Sequence, residues 1–275
     1  VPTFSSDFSA ISLSNNSLKN QTIELVVPST LDYSSPYWLK EKGTVGMYRV
    51  DELQNVGIPD VLRQAKVVFE IEITGVTIPF ERNIVYKYND DVKGEVYQPL
   101  DVIPAVTSAI TEKVYVFNSS KSQTVTVKIK AGKENVNGKI ELEIPTNWSV
   151  SPKEIPFKLT KKDEEQLAVF SVSPSKDASE IVIKSKITVD NQVFDNEKIE
   201  INYSHIYKQI VLKPSEAKAF KVDIKIKNEK IAYIMGAGDE VPKSLKQMGY
   251  EVEIIKPEEI SATRLLNFDV VMTGI

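Results

Sequence analysis

The sequence predicts a mainly β chain: two immunoglobulin-like β-sandwiches followed by an incomplete α/β (β-α-β) unit. Three observations lead there. Apolar and polar residues alternate with a period of two in segments spread over residues 66–227, the spacing of strands wet on one face and buried on the other. These stretches are short and separated by turn residues, as in sandwiches. At residue 230 the pattern changes to an unbroken apolar strand, a helix and another strand, the order of a parallel sheet.

The first sandwich is placed at 1–105. In 66–73 (KVVFEIEI), Val67, Phe69, Ile71 and Ile73 share one face, and Glu70 and Glu72 lie on the other. Thr74-Gly75 supplies a turn and Val76, Ile78 and Phe80 resume the alternation, so a hairpin is expected. Residues 28–62 hold Pro28, Pro36, Gly43, Gly46, Gly57 and Pro59, and predict long loops on this sandwich. A boundary falls at 98–112, where Pro99 and Pro104 interrupt the strand pattern by removing ladder donors.

The second sandwich is placed at 106–228. Its expected inward rows are Val125, Val127 and Ile129; Ile140, Leu142 and Ile144; Ile181, Ile183, Ile187 and Val189; and Phe220, Val222, Ile224 and Ile226. Trp148 is expected in its core. From 229 to 275 the chain predicts the start of an α/β domain. Ile231 to Met235 form a strand and Gly236-Ala237-Gly238-Asp239 a turn. A helix follows with Asp239 or Glu240 at its start, Pro242 in its first turn and Gly249 at its stop. Strands at Glu251–Ile255 and Asp269–Met272 complete the reading. So short a segment cannot cover both faces of a parallel sheet, and the chain closes on the apolar run FDVVMTGI, so a piece of a longer protein is expected.

Composition narrows the function classes. With 275 residues, about two domains are expected and a third only if small or incomplete. A hydrophobic fraction of 41% and a charged fraction of 26% are those of a folded chain. No apolar stretch reaches the roughly 20 residues of a membrane-spanning helix, so no membrane span is expected. The net charge is −4 and the lysines are scattered, so no nucleic-acid partner is expected. Cys is absent, which excludes disulfides, zinc-thiolate sites and a Cys nucleophile within this chain. The one His, His205, excludes any mechanism that needs several imidazoles. The opening VPTFSSDFS carries neither a basic nor an apolar signal-peptide region.

Several segments, in order along most of the chain, resemble the region behind the catalytic domain of large bacterial PIG-L (LmbE-like) family deacetylases. They are Tyr37-Trp38-Leu39, Gly43-Thr44-Val45-Gly46-Met47-Tyr48, Gly94-Glu95-Val96-Tyr97-Gln98-Pro99-Leu100, Asn147-Trp148-Ser149-Val150, Tyr203-Ser204-His205-Ile206 and Tyr233-Ile234-Met235-Gly236-Ala237-Gly238-Asp239. The resemblance implies an upstream zinc-dependent domain acting on N-acetylglucosamine-type sugars, then immunoglobulin-like modules, then a glutamine-amidotransferase-like domain, here truncated. It also implies an exported protein, periplasmic or extracellular, whose partners are the other domains of its parent. The family's His-Pro-Asp-Asp zinc motif does not occur here, and no Cys or Ser nucleophile turn follows residue 239. No catalytic or metal residue is therefore carried over, no cofactor is expected in this chain, and zinc is expected only in the catalytic domain.

Two groups remain as candidate ligand sites. Tyr33, Tyr37, Trp38 and Tyr48 would stack on sugar rings if they formed a flat exposed array; alternatively they pin loops or dock on a neighbouring domain. Gly236, Ala237, Gly238 and Asp239 precede a helix, where backbone N–H groups can hold an anion, but a plain turn with Asp239 as cap is the preferred reading. Asn89-Asp90-Asp91 with Glu95 reads as turn chemistry rather than a calcium loop, and His205 as structural. Three functions follow: a non-catalytic accessory region that positions the deacetylase domain and extends its contact with glycan, an independent carbohydrate- or surface-binding module, and an enzyme acting through the terminal unit. The last needs groups the chain does not contain.

Overall fold

A computed structural model describes residues 10–24, 31–59, 61–63 and 65–274. Residues 28–30 and 60 of the expected loop segment lie outside the described residues. The chain is mainly β and divides into two compact units, Val1–Ile103 with Glu200–Val211, and Pro104–Ile199 with Leu212–Ile275.

In the first unit a one-turn 3-10 helix, Tyr37–Leu39, is followed by strands β1 (Lys66–Ile73), β2 (Val76–Asn83), β3 (Val85–Asp90) and β4 (Gly94–Pro99). β1 and β2 form the expected hairpin, with Phe69 opposite Phe80, Ile71 opposite Ile78 and Ile73 opposite Val76. Its two-residue turn places Thr74 at φ 51° and Gly75 at φ 83°. Positive φ at both positions matches the twist of the strands; Gly adopts it freely, whereas a β-branched Thr does so against its own side chain. β3 and β4 make a second antiparallel pair. The first region thus differs from the expected sandwich: its described strands form two separate two-stranded sheets. The alternating face of β1–β2 exists as read, but Phe69, Ile73 and Val76 stay 53%, 54% and 59% exposed. Alternation fixes which residues share a face; it does not supply the layer that covers it. In this unit the buried Arg63 pairs with Asp101 at 2.8 Å, and the Ser34 N–H donates to the Val102 carbonyl at 2.8 Å.

The second unit contains a complete sandwich. Its strands are β5 (Val106–Ile110), β6 (Val114–Phe117), β7 (Gln123–Ala131), β8 (Val136–Glu143), β9 (Ser149–Ser151), β10 (Glu154–Leu159), β11 (Glu165–Ser173) and β12 (Ser179–Val189). Then β13 (Gln192–Phe194) folds back on β12, β14 (Asn196–Ile201) pairs with β15 (Gln209–Pro214), and β16 (Glu216–Lys221) rejoins the sandwich. One layer has the order β5-β7-β11-β9 and the other β10-β8-β12-β16-β6. The first strand of the domain is divided, β5 pairing antiparallel with β7 in one layer and β6 parallel with β16 in the other. Two layers with a first strand shared between them make this an immunoglobulin-like β-sandwich.

The core is as the alternation predicts over most of its length. Val125, Val127, Ile129, Ile140, Leu142, Ile181, Ile183, Ile187 and Val189 are buried, and Ile144 packs partly buried against them. Trp148, 4% exposed, meets Phe117 edge-on at 5.0 Å and donates from Nε1 to Ser179 Oγ at 3.3 Å. The last inward row is a correction. β16 stops at Lys221 and its inward residues are Ala217 and Ala219, while Phe220 turns to the other face, where Lys218 lies 5.9 Å over its ring. Val222, Ile224 and Ile226 are only half-buried and belong to an extended connection without a ladder. The inward row therefore begins at Ala217, three residues before Phe220 and on the opposite face.

One polar chain crosses the core. Ser185 breaks the apolar row of β12; its hydroxyl is 2.7 Å from that of Ser108 on the facing layer and donates to Ser215 Oγ at 2.6 Å. All three serines are buried. Buried hydroxyls cost little while each is paired and much when one is orphaned. Ser185→Ala, which strands both neighbours, is expected to lower stability by about 1–3 kcal/mol, read as a lower urea midpoint at unchanged slope.

The β-α-β segment follows: β17 (Lys230–Ile234), α1 (Val241–Met248), β18 (Glu251–Ile255), α2 (Ala262–Leu265) and β19 (Val270–Thr273). The strands are parallel in the order β18-β17-β19. Gly249 ends α1 at φ 105°, as read from the sequence. Leu245 packs with Ile231, Tyr233 and Val252 on one face of the sheet. The opposite side of α1 meets the sandwich. Gln247 Oε1 accepts the Val116 N–H at 2.8 Å, Asn118 Nδ2 donates to the Met248 carbonyl, and Lys243 pairs with Glu112. Sandwich and β-α-β segment therefore belong to one compact unit.

Candidate functional site

The Gly236–Asp239 turn sits where β17 ends, at the carboxyl edge of the parallel sheet and between two strands that leave β17 on opposite sides, a usual ligand position in such sheets. The turn is already filled from within. The Asp239 carboxylate accepts the Tyr233 hydroxyl through Oδ2 and the Val241 N–H through Oδ1 at 3.0 Å, with the Gly236 N–H as a further donor. A Cβ on Gly274 would fall 2.1 Å from Asp239 Oδ2 and 2.5 Å from the Gly236 nitrogen, so β19 approaches the turn closely enough to require glycine. Asp239 thus ties the turn to the start of α1 through the Gly236 and Val241 N–H groups, while the N-cap position itself is Glu240.

This contact separates the titrations of its members. The hydrogen bond to Asp239, with burial and the nearby charge behind it, pushes the Tyr233 phenol up to about 12. The same bond, together with the Val241 and Gly236 N–H groups, holds the Asp239 carboxyl below the ordinary carboxylate range. A raised phenol stabilises the fold below its unfolded value near 10 and ceases to do so as pH climbs through about 12. A depressed carboxyl stabilises above its unfolded value and ceases to do so as pH falls below it. Tyr233→Phe is therefore expected to lower stability at pH 7, with the gap between wild type and variant narrowing from pH 10 to 12 and again below pH 4 in urea titrations.

The aromatic group of the first unit does not form a flat array. Tyr37 and Trp38 sit in the 3-10 turn with their rings 4.9 Å apart and at 87°, and the Tyr37 hydroxyl donates to the Ile58 carbonyl at 3.2 Å. The Tyr37 hydroxyl thus ties the 3-10 turn to residue 58, and Trp38 packs on the Tyr37 ring. Tyr33 and Tyr48 are exposed. The acidic turn behaves as expected: Asp90 Oδ1 accepts the Val92 and Lys93 N–H groups at 2.9 Å each, which lowers its pKa, and Glu95 pairs with Lys87 at 2.6 Å. His205 stacks on Tyr203 at 5.9 Å.

A different aromatic pair escaped the sequence reading. Tyr86 and Tyr88 project from one face of β3, their rings 5.5 Å apart and inclined by only 27°. Gln98 lies directly opposite Tyr86 and Val96 opposite Tyr88. The signal was present in VYKYND, since tyrosines two apart on a strand share a face.

The sequence matches no protein-family model and no curated protein. Among solved structures, similarity is found to a family 123 glycoside hydrolase from Clostridium perfringens, which acts on glycolipid glycans, with 8% identity over 48% of this chain and a TM-score of 0.28. This chain spans 30% of that enzyme's length. Two Caenorhabditis elegans proteins also match: WR4, an MSP family member (8% identity, 43% of this chain and 98% of that one, TM-score 0.24), and SSP-19, an MSP-domain-like protein (12%, 40% and 97%, TM-score 0.22). At such scores these likenesses carry no argument about site or activity.

Proposed function

We propose that this chain is a non-catalytic accessory region of a PIG-L (LmbE-like) deacetylase-type protein. Its sandwich carries the β-α-β segment in a fixed pose and positions a zinc-dependent catalytic domain that lies elsewhere in the parent. The observation that supports it most is the clamp of α1 on β6 by Gln247, Asn118 and Lys243, which joins the sandwich and the β-α-β segment in the way a spacer requires. The donor chemistry points the same way. His205 is stacked on Tyr203, Asp90 and Asp239 are taken up by backbone N–H groups, and among the described residues no three His, Asp or Glu converge as metal ligands. In this reading zinc belongs to the catalytic domain, in an exported protein.

A second reading, an independent carbohydrate- or surface-binding module, is favoured by the exposed tyrosines of β3, and glycan contact is compatible with both. The test is direct. The purified chain, with and without added zinc, is expected to release no acetate from N-acetylglucosamine oligomers; acetate release that survives chelation controls and repurification overturns the accessory reading. Gln247→Ala is expected to speed hydrogen exchange at the Val116 amide and through residues 241–248 while the β7, β11 and β12 amides keep their protection. Unchanged exchange at both places removes the clamp as the basis of a spacer.

A further inference from the structure

We propose that the face of β3–β4 bearing Tyr86, Tyr88 and Gln98 is a contact site for an uncharged saccharide; this rests on the glycan-contact reading above and gives it an address. Strand pleat puts Tyr86, Tyr88, Val96 and Gln98 on one side of this two-stranded sheet. The two rings are 67% and 39% exposed and nearly parallel, so their outer faces and edges are open to solvent. The charged groups of the hairpin are gathered elsewhere. Lys87 and Glu95 lie on the opposite side, paired with each other at 2.6 Å, and Glu95 also accepts the Tyr97 hydroxyl at 2.8 Å. Asp90, at the end of the tyrosine face, accepts the Val92 and Lys93 N–H groups through Oδ1.

The result is a face with ring surfaces, two phenols and a carboxamide, whose one formal charge is Asp90 at its end. An anionic ligand finds no cation on it. A pyranose has what this face complements: an apolar C–H side for a ring and equatorial hydroxyls that both donate and accept, as phenols and an amide do. The β1–β2 face is unlike it: its apolar row from Val67 to Phe80 carries no phenol or amide, and its one polar member is the charged Arg82, 6.0 Å over the Phe80 ring.

The experiment titrates the full chain with chitohexaose and, separately, with cellohexaose, following tyrosine and Gln98 amide signals by NMR. Saturable shifts confined to β3–β4 are expected. Tyr86→Ala/Tyr88→Ala is expected to weaken binding about tenfold or more, Tyr86→Phe/Tyr88→Phe less, and Tyr33→Ala/Tyr48→Ala not at all. Should the double alanine variant fail to fold, Gln98→Leu carries the same test, with a weaker affinity expected. Binding that survives the β3 variants but is lost in Tyr33→Ala/Tyr48→Ala overturns this site and leaves glycan contact standing. Absence of binding by either oligosaccharide sinks both. Binding of a proline-rich peptide at the tyrosines, with no sugar bound, overturns the saccharide assignment.

Discussion

The outer edge of β6 decides how the second unit is built. An edge strand leaves N–H and C=O groups facing outward, and these must be paired or hydrated. Here Val116 presents both. Its N–H is taken by the Gln247 side chain from α1, and its carbonyl by Gln123 Nε2 at 2.6 Å. Two glutamines thus finish a ladder that has no further strand. One of them belongs to the helix of the next structural element, so closing the sandwich edge and docking the β-α-β segment are the same event. Asn118 repeats the arrangement one residue past the strand, giving its amide to a carbonyl at the end of α1 that has no partner within the helix.

Much of this architecture was legible beforehand. The period of two named the inward residues of β7, β8 and β12 correctly, because a row of large apolar side chains against Lys, Thr and Glu has one stable orientation when a layer lies on only one side. Pro242 and Gly249 bounded α1 because each has a backbone preference that tertiary contacts seldom override. The failures have one cause in common. At β16 the eye follows Phe220 and the isoleucines after it, yet the residues buried against the core are Ala217 and Ala219. At β1–β2 the pattern was right and its cover was inferred. Volume and layer count are properties of the partner surface, and a single strand's sequence does not state them.

The sites show the same division. The bond from Val241 to Asp239 could be read locally, since it spans two residues. Its bond from Tyr233 and the close passage of Gly274 depend on strands assembled side by side. Tyr37 and Trp38 left a platform and a loop anchor both open in sequence; neighbours in a helical turn splay apart, and these stand perpendicular. Tyr86 and Tyr88, separated by a lysine, are less conspicuous and lie nearly parallel. For ring stacking, strand spacing is the more informative pattern.

The carboxylate lodged in the Gly236–Asp239 turn has a consequence for anything that would enter there. Asp239 is a ligand tied to its own receptor, and its effective concentration is that of a short tether, in the millimolar range or above. A phosphate or carboxylate arriving from solution competes with it and also brings a second negative charge to the same few ångströms. Occupancy by a free anion would then demand that the side chain rotate out and the phenol of Tyr233 find another acceptor. The turn thus behaves as a closed joint between β17 and α1.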